Sequence, residues 1–210
     1  MLQYQIIPVT SYQQNCSLIW CDQTNEAALI DPGGDIDLLL DAVVVNKVDL
    51  KKVWLTHGHL DHVGATAELK ERFNLPVTGP HIEDKFLLDA IPLQCEMFGF
   101  AKVKSFLPDY WLTETTVLSL GAEKFSILYT PGHTPGHIVI KHDARKLLWV
   151  GDVLFHGSIG RTDFPRGNHE ELLASINNKL LILDDEYRFI PGHGPESTIG
   201  EERAHNPFLI

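Results

Sequence analysis

Cysteine is scarce in this chain. Cys16, Cys21 and Cys95 are the only three in 210 residues and form no C-x-x-C pair, which argues against a disulfide framework or a thiolate-rich structural zinc site. Cys16 and Cys21 lie in one strand-like stretch at a spacing that sends their side chains to opposite faces. All three are therefore expected to be reduced and buried. Basic residues are also few: 17 Lys and Arg stand against 28 Asp and Glu, a formal net charge of −11. That balance speaks against a nucleic-acid partner, which rewards a basic face. No apolar run approaches the ~20 residues that cross a bilayer. The N-terminal MLQYQIIPVTSYQQN lacks the basic and apolar regions of a signal peptide. The expectation is a cytoplasmic protein with no membrane partner. Neither phosphate-cradling glycine pattern, G-x-x-x-x-G-K-[ST] or G-x-G-x-x-G, occurs, and the serine nucleophile elbow G-x-S-x-G is missing too. Linkers, repeats and low-complexity tracts are absent as well, leaving a single domain over residues 1–210, in halves of about 1–110 and 111–210. No conspicuous apolar helix face is left over, which favours a monomer.

The remaining composition, 44% hydrophobic and 21% charged, is that of an ordinary globular domain. YQIIPVT, CSLIWC and EAALID are β-rich apolar runs separated by polar turns. DPGGD (31–35) reads as a strand-to-helix turn, IDLLLDAVVVNK as a helix and KKVWLT as the next strand. GATAELKERF is helical and ends before Pro76, VTGP is a short strand, and EDKFLLDAI is a helix stopped at Pro92. Pro92 to Trp111 is poorly periodic and reads as a long connection with one helical turn. From Thr116 onward TVLSL, KFSILYT, HIVIKH and KLLWVGD read as consecutive strands. Asn168 followed by Glu171 starts the helix HEELLASINNKLLIL, and YRFIPGHG is a last strand and loop. Strands with interspersed helices in both halves give a layered α/β (α+β) domain, two sheets inside and helices outside.

Histidine is abundant where cysteine is not. THGHLDH (56–62) packs three histidines and an aspartate into seven positions. Four apolar strands end alike: KKVWLT runs into His57, FSILYTPG into His133, LLWVG into Asp152 and RFIPG into His193. Each puts a metal-capable side chain just beyond a rigid strand. In extended backbone His57 and His59 point the same way, and a helix start after them swings Asp61 and His62 to a neighbouring position. His57, His59 and His133 would hold one ion; Asp61, His62 and His193 would hold a second; Asp152, with two carboxylate oxygens, would bridge them. Such ligands suit zinc, with iron and manganese as alternatives. Two ions ~3.5–4 Å apart would share a hydroxide, making water a nucleophile near neutral pH, and Asp61 would orient that bridging hydroxide. His137 reads as a structural or supporting residue rather than a ligand. His81, His142, His169 and His205 read as structural. DPGGD reads as a turn, with a hydrogen bond from Asp31 to a ligand histidine as the less favoured reading. GRTDFPRGN (160–168) is either a solvated loop or the place where Arg161 or Arg166 receives an anionic substrate.

THGHLDH, TPGHTPGH (130–137), GD (151–152) and PGH (191–193) together resemble the metallo-β-lactamase superfamily over nearly the whole chain. DPGGD, THGHLDHVGA, GRTDFPRGN, FIPGHGP and HNPFL further resemble the short bacterial type II glyoxalases, which are hydroxyacylglutathione hydrolases. The resemblance implies a four-layer αββα sandwich with a two-zinc site at one sheet edge. It also implies hydrolysis of the thioester S-D-lactoylglutathione to D-lactate and glutathione, as in methylglyoxal detoxification. Classical type II glyoxalases add a C-terminal helical domain that grips glutathione; only 17 residues follow His193 here, so that domain is expected to be missing. They also carry a Lys or Arg and a Tyr after the bridging aspartate. Arg161 matches the cation, while Thr162, Asp163 and Phe164 supply no tyrosine. GRTDF is shared with glutathione-persulfide dioxygenases of the same superfamily, which use one iron. An iron-dependent dioxygenase is therefore the alternative activity, set against the two complete ligand sets kept here. A β-lactamase, a nucleic-acid-processing member and a non-catalytic metal-binding module are weaker alternatives.

Overall fold

A computed structural model of the chain describes residues 1–209. The first half builds a five-stranded sheet in sequence order: β1 (Leu2–Val9), β2 (Gln14–Cys21), β3 (Glu26–Ile30), β4 (Asp49–Trp54) and β5 (Val77–Thr78). β1 to β3 are antiparallel; β3, β4 and β5 run parallel, connected by helices. The second half supplies β6 (Val117–Leu120), β7 (Glu123–Tyr129), β8 (Ile138–His142), β9 (Leu147–Gly151), β12 (Arg188–Pro191) and β13 (Ser197–Thr198). These form a six-stranded sheet ordered β13-β12-β9-β8-β7-β6. A small hairpin, β10 (Leu154–Phe155) with β11 (Ser158–Ile159), stands apart.

The four layers follow from the two-residue period of the strands. In β3, Ala28 and Ile30 face the second sheet while Ala27 and Leu29 face helices. In β9, Leu147 and Trp149 face the first sheet while Leu148 and Val150 face the other way. With both faces covered, these strands read as unbroken apolar runs. Between the sheets Trp54 meets Phe125 edge to face, ring centres 5.0 Å apart, and Ile19, Ile138 and Ile140 fill the same layer. Outside the first sheet lie α1 (Ile36–Asn46), α3 (Thr66–Phe73) and α5 (Ile91–Phe98), which bury Leu39, Leu69 and Ile91 against Leu18 and Leu29. Outside the second lie α6 (His169–Ser175), its continuation as a π-turn (Ile176–Leu180) and α7 (Ile199–His205). They bury Leu172, Ile176 and Ile199 against Val139 and Phe189. Each such buried side chain contributes about 1.5–3 kcal/mol.

The Asn168 cap is as expected: its side chain accepts from the backbone N–H of Glu170 and Glu171. Pro92 overturns an expectation. The helix before it, α4 (Lys85–Asp89), ends at Ala90, and Pro92 lies in the first turn of α5 rather than stopping a helix. A first-turn proline lacks only an N–H that has no helical partner anyway. Pro92–Trp111 therefore opens with two helical turns instead of being mostly connection. The three cysteines are free and buried. Among the described residues no helix is long and apolar enough to cross a membrane.

Candidate metal centre

The C-terminal ends of β3, β4, β7, β9 and β12 gather at one edge of the sandwich and carry Asp31, His57, His133, Asp152 and His193. The two sheets are tied there by backbone bonds. Ile138 N donates to Thr56 O at 2.9 Å, and Asn15 N donates to Gly192 O at 2.7 Å. His57 and His59 leave extended backbone, and His59 (ψ 144°) is the residue from which α2 (Leu60–Val63) begins. The helical turn carries Asp61 and His62 to a second position.

All seven candidate residues converge. One ligand-type atom from each of His57, His59 and His133 lies within 4.8 Å of the others, and the same holds for Asp61, His62 and His193. Asp152 stands between the groups: Oδ1 is 3.3 Å from His62 Nε2, and Oδ2 is 3.7 Å from His133 Nε2 and 3.8 Å from His193 Nε2. Gly192 makes this approach possible, since a Cβ there would sit 2.0 Å from Asp152 Oδ1 and 2.5 Å from the His62 ring. His57 Nε2, His62 Nε2 and Asp152 Oδ1 are buried yet make no hydrogen bond. Burying polar atoms without partners is costly; three of them aimed into one imidazole and carboxylate cluster fit divalent cations.

Neighbouring groups fix the rings. Asp31 Oδ2 lies 2.9 Å from His62 Nδ1, on the side of the ring away from Asp152. The same carboxylate accepts from Thr56 N and Thr56 Oγ1 at 2.7 and 2.6 Å. DPGGD is thus more than a turn: Asp31, held at φ 52°, orients a candidate ligand through the other ring nitrogen. His133 Nδ1 is 2.7 Å from Arg161 O. His137 has both nitrogens engaged, Nε2 accepting from Asp152 N at 3.1 Å and Nδ1 3.3 Å from Thr130 Oγ1. Its ring stacks on His57 at 4.8 Å, the supporting role expected of it.

Two supporting residues escaped the sequence reading. Asp84 is buried and accepts from Gly58 N (2.9 Å), Gly136 N (2.6 Å) and Thr134 Oγ1 (2.8 Å), joining the THGH and TPGH loops. Gln94 accepts from Leu60 N at 2.9 Å and donates to Leu87 O at 2.9 Å. Neither carries a motif, because most of the residues they act on lie tens of positions away. The arginines of GRTDFPRGN are placed differently from the expectation that they await an anion. Arg161 makes a two-pronged pair with Asp163 and lies over the Phe164 ring, and Arg166 pairs with Glu83 at 2.7 Å.

The two groups differ electrically. Burial, with neighbouring imidazoles, pushes His57 well below its usual value and His59 down to about 3. His133 is also lowered by burial. These three rings are neutral near pH 7, the form that binds metal. Burial would lower His62 as well, but Asp152, Asp61 and Asp31 outweigh it and raise His62 well above the usual range. His193 is raised against its burial by Asp61 and Asp152. Burial alone would raise Asp152, whereas His62, His133 and His193 drive it far below the usual carboxylate range.

A cavity of about 570 Å³ opens over the cluster. Phe86, Leu87, Ala90, Leu93, Met97 and Phe98 form one wall. Phe155, Ile159, Phe164 and Pro165 form the other. The second wall is held from behind by Glu202, which is buried and accepts from Gly157 N at 2.8 Å, and by Asn206 Nδ2, which donates to Ser158 O at 3.0 Å.

An αββα sandwich with a divalent-metal cluster of histidines and aspartates at its edge defines a class of metal-dependent enzymes. This chain belongs to one such family, the metallo-beta-lactamase superfamily, whose sequence model matches residues 9–193. It is 50% identical over 209 residues to the hydroxyacylglutathione hydrolase GloC of Haemophilus influenzae, covering 99% of this chain and 98% of that protein. Among solved structures, the BLEG-1 B3 metallo-beta-lactamase matches with a TM-score of 0.90 and 37% identity, covering 99% of each chain. TTHA1623 in a di-iron-bound form matches at 0.89 and 36%, covering 98% of this chain and 100% of that one. ETHE1 from Myxococcus xanthus matches at 0.81 and 27%, covering 98% and 83%.

Proposed function

We propose that this protein is a metal-dependent thioester hydrolase that converts S-D-lactoylglutathione and water into D-lactate and glutathione, a step of methylglyoxal detoxification. The observation that carries the reading is the pair of three-residue groups sharing Asp152 at the floor of one cavity. The likeness to GloC over nearly the full chain supports the same substrate class. In this reading two zinc ions, or iron or manganese in their place, are held by His57, His59 and His133 on one side and Asp61, His62 and His193 on the other. Asp152 is shared between them. When bound, such a pair supplies a Lewis acid for the thioester carbonyl and an acidic water able to attack at neutral pH.

The chain's own groups do the rest. Asp61, with Oδ2 3.2 Å from His193 Nε2, orients the attacking water. The C–O bond forms as the C–S bond breaks, and the water's proton passes to the departing thiolate. Asp31 and His137 hold His62 and the Asp152 backbone so that these atoms need not reorganise during reaction. Arg161 lines the cavity and Arg166 lies over the ring of the lining residue Phe86; glutathione carboxylates would have to compete with Asp163 and Glu83 for them. The reading also assigns the protein to the cytoplasm as a monomer, with residues 1–210 forming one domain, that binds neither nucleic acid nor membrane.

The test is hydrolysis of S-D-lactoylglutathione by metal-loaded protein, followed at the thioester absorbance. No turnover by a fully metallated sample rejects the reading. The second reading, an iron-dependent glutathione-persulfide dioxygenase, is favoured by the likeness to ETHE1. One iron per chain with persulfide-dependent oxygen uptake would decide for it.

A further inference from the structure

We propose that the cavity selects thioesters by an apolar acyl group larger than lactoyl, a medium-length aliphatic or aromatic chain seated between α4–α5 and the β10–β11 loop. This rests on the thioester-hydrolase reading and extends its substrate range. The cavity's two walls are largely apolar, interrupted by Gln94, Ser158 and Arg161. The apolar character continues outward as exposed side chains: Leu93 is 57% exposed, Met97 68%, and Tyr12 stacks on Phe100 with ring centres 5.1 Å apart at the rim. Surface of this kind, continuous with a reactive centre, marks a ligand rather than chance exposure.

The polar groups among the walls are nearly all committed elsewhere. Gln94 is engaged by Leu60 N and Leu87 O, and the Arg161 guanidinium by both oxygens of Asp163. Apart from Ser158, the Tyr12 hydroxyl at the mouth and the metal cluster itself, the lining offers no free side-chain partner for the lactoyl hydroxyl. A buried hydroxyl without a partner is disfavoured, whereas each buried methylene is favoured, roughly fourfold in binding. The choice of the acyl side follows from charge. Biological thiol carriers bear ionised groups, and the cavity holds no unpaired cation to receive them. The thiol half therefore points to the open mouth, leaving the interior to the acyl half.

The experiment compares S-hexanoylglutathione with S-D-lactoylglutathione on metal-loaded protein, keeping the thiol constant. The expected result is a kcat/KM at least tenfold higher for hexanoyl. Ala90→Trp, which fills the cavity between the walls, should cut the hexanoyl-to-lactoyl ratio at least tenfold. A ratio reports only folded, active molecules, so loss of protein does not mimic the effect. Equal or lower kcat/KM for hexanoyl overturns the proposal while leaving the hydrolase reading intact. If neither thioester is cleaved, that reading fails, and calorimetry with the uncleavable S-hexylglutathione and S-methylglutathione still decides. Tighter hexyl binding that Ala90→Trp abolishes supports the apolar cavity; equal affinities overturn it.

Discussion

The two halves of the metal centre are built from similar side chains but live in different surroundings. His57, His59 and His133 are almost wholly buried, lie among other rings and are neutral without metal. Asp61, His62 and His193 mix carboxylate with imidazole; Asp61 and His193 reach solvent, and their neighbours favour the protonated imidazole. A proton must leave His62 or His193 before a cation can take its place, whereas the buried trio offers ready lone pairs. The lesson is that ligand identity alone does not set affinity: burial and local charge make one corner ready and the other switchable.

That contrast can be broken at its hinge. Asp152→Ala removes the group common to both corners, so metal content should fall toward zero, with activity down on the order of a thousandfold or more. Metal analysis showing full retention of both ions would contradict the shared role. His193→Ala should spare the buried corner and leave about one ion per chain, read by the same analysis. Lowering pH should empty the open corner first, because its imidazoles hold protons more tightly than the buried trio does. Asp31→Ala leaves His62 unoriented and should weaken metal binding at that corner by about 10–100-fold, measured by competition with a chelator.

Asp84 gives a pH signature away from the ligands themselves. Burial raises its pKa from 3.8 to about 6, so the folded state favours the protonated acid. Its contribution to stability is fully present below about pH 4 and is lost as pH rises through 6, about 3 kcal/mol in all. In denaturant titrations, wild type minus Asp84→Asn should lose that much between these pH values; a flat difference would mean the carboxylate is ionised throughout. The smallest effect is expected from Arg161→Gln. An exposed ion pair contributes little to stability, so stability should hardly move and KM for lactoylglutathione should change less than about threefold. A tenfold rise in KM would instead give Arg161 the anion-receiving role.

Legibility tracked sequence distance. THGHLDH could be read because its geometry is local: extended backbone sets His57 beside His59, and a helical turn sets Asp61 beside His62. His133, Asp152 and His193 were legible because each follows a buried strand and a turn glycine. The strands themselves showed as apolar runs because both their faces are covered. Asp84 and Gln94 were not legible, since their partners lie 26 to 52 and 7 to 36 positions away and no periodicity records such contacts. Asp31 was half legible, as a turn but not as the partner of His62. Pro92 misled because proline at a helix start and proline at a helix stop look alike without the neighbouring packing. The cavity was invisible for a related reason: its walls come from segments on both sides of the sandwich.

Asn15 hangs the final loop from the first sheet, its side-chain amide donating to Pro191 O at 3.0 Å and Gly194 O at 2.8 Å, while Gly192 O accepts from Asn15 N at 2.7 Å. During synthesis at about 5–20 residues per second, roughly ten seconds separate the emergence of His62 from that of His193. Throughout that interval the histidine-rich turn is already outside the ribosome but lacks its downstream companions. A nascent chain stalled before Pro191 would hold an unfinished clasp.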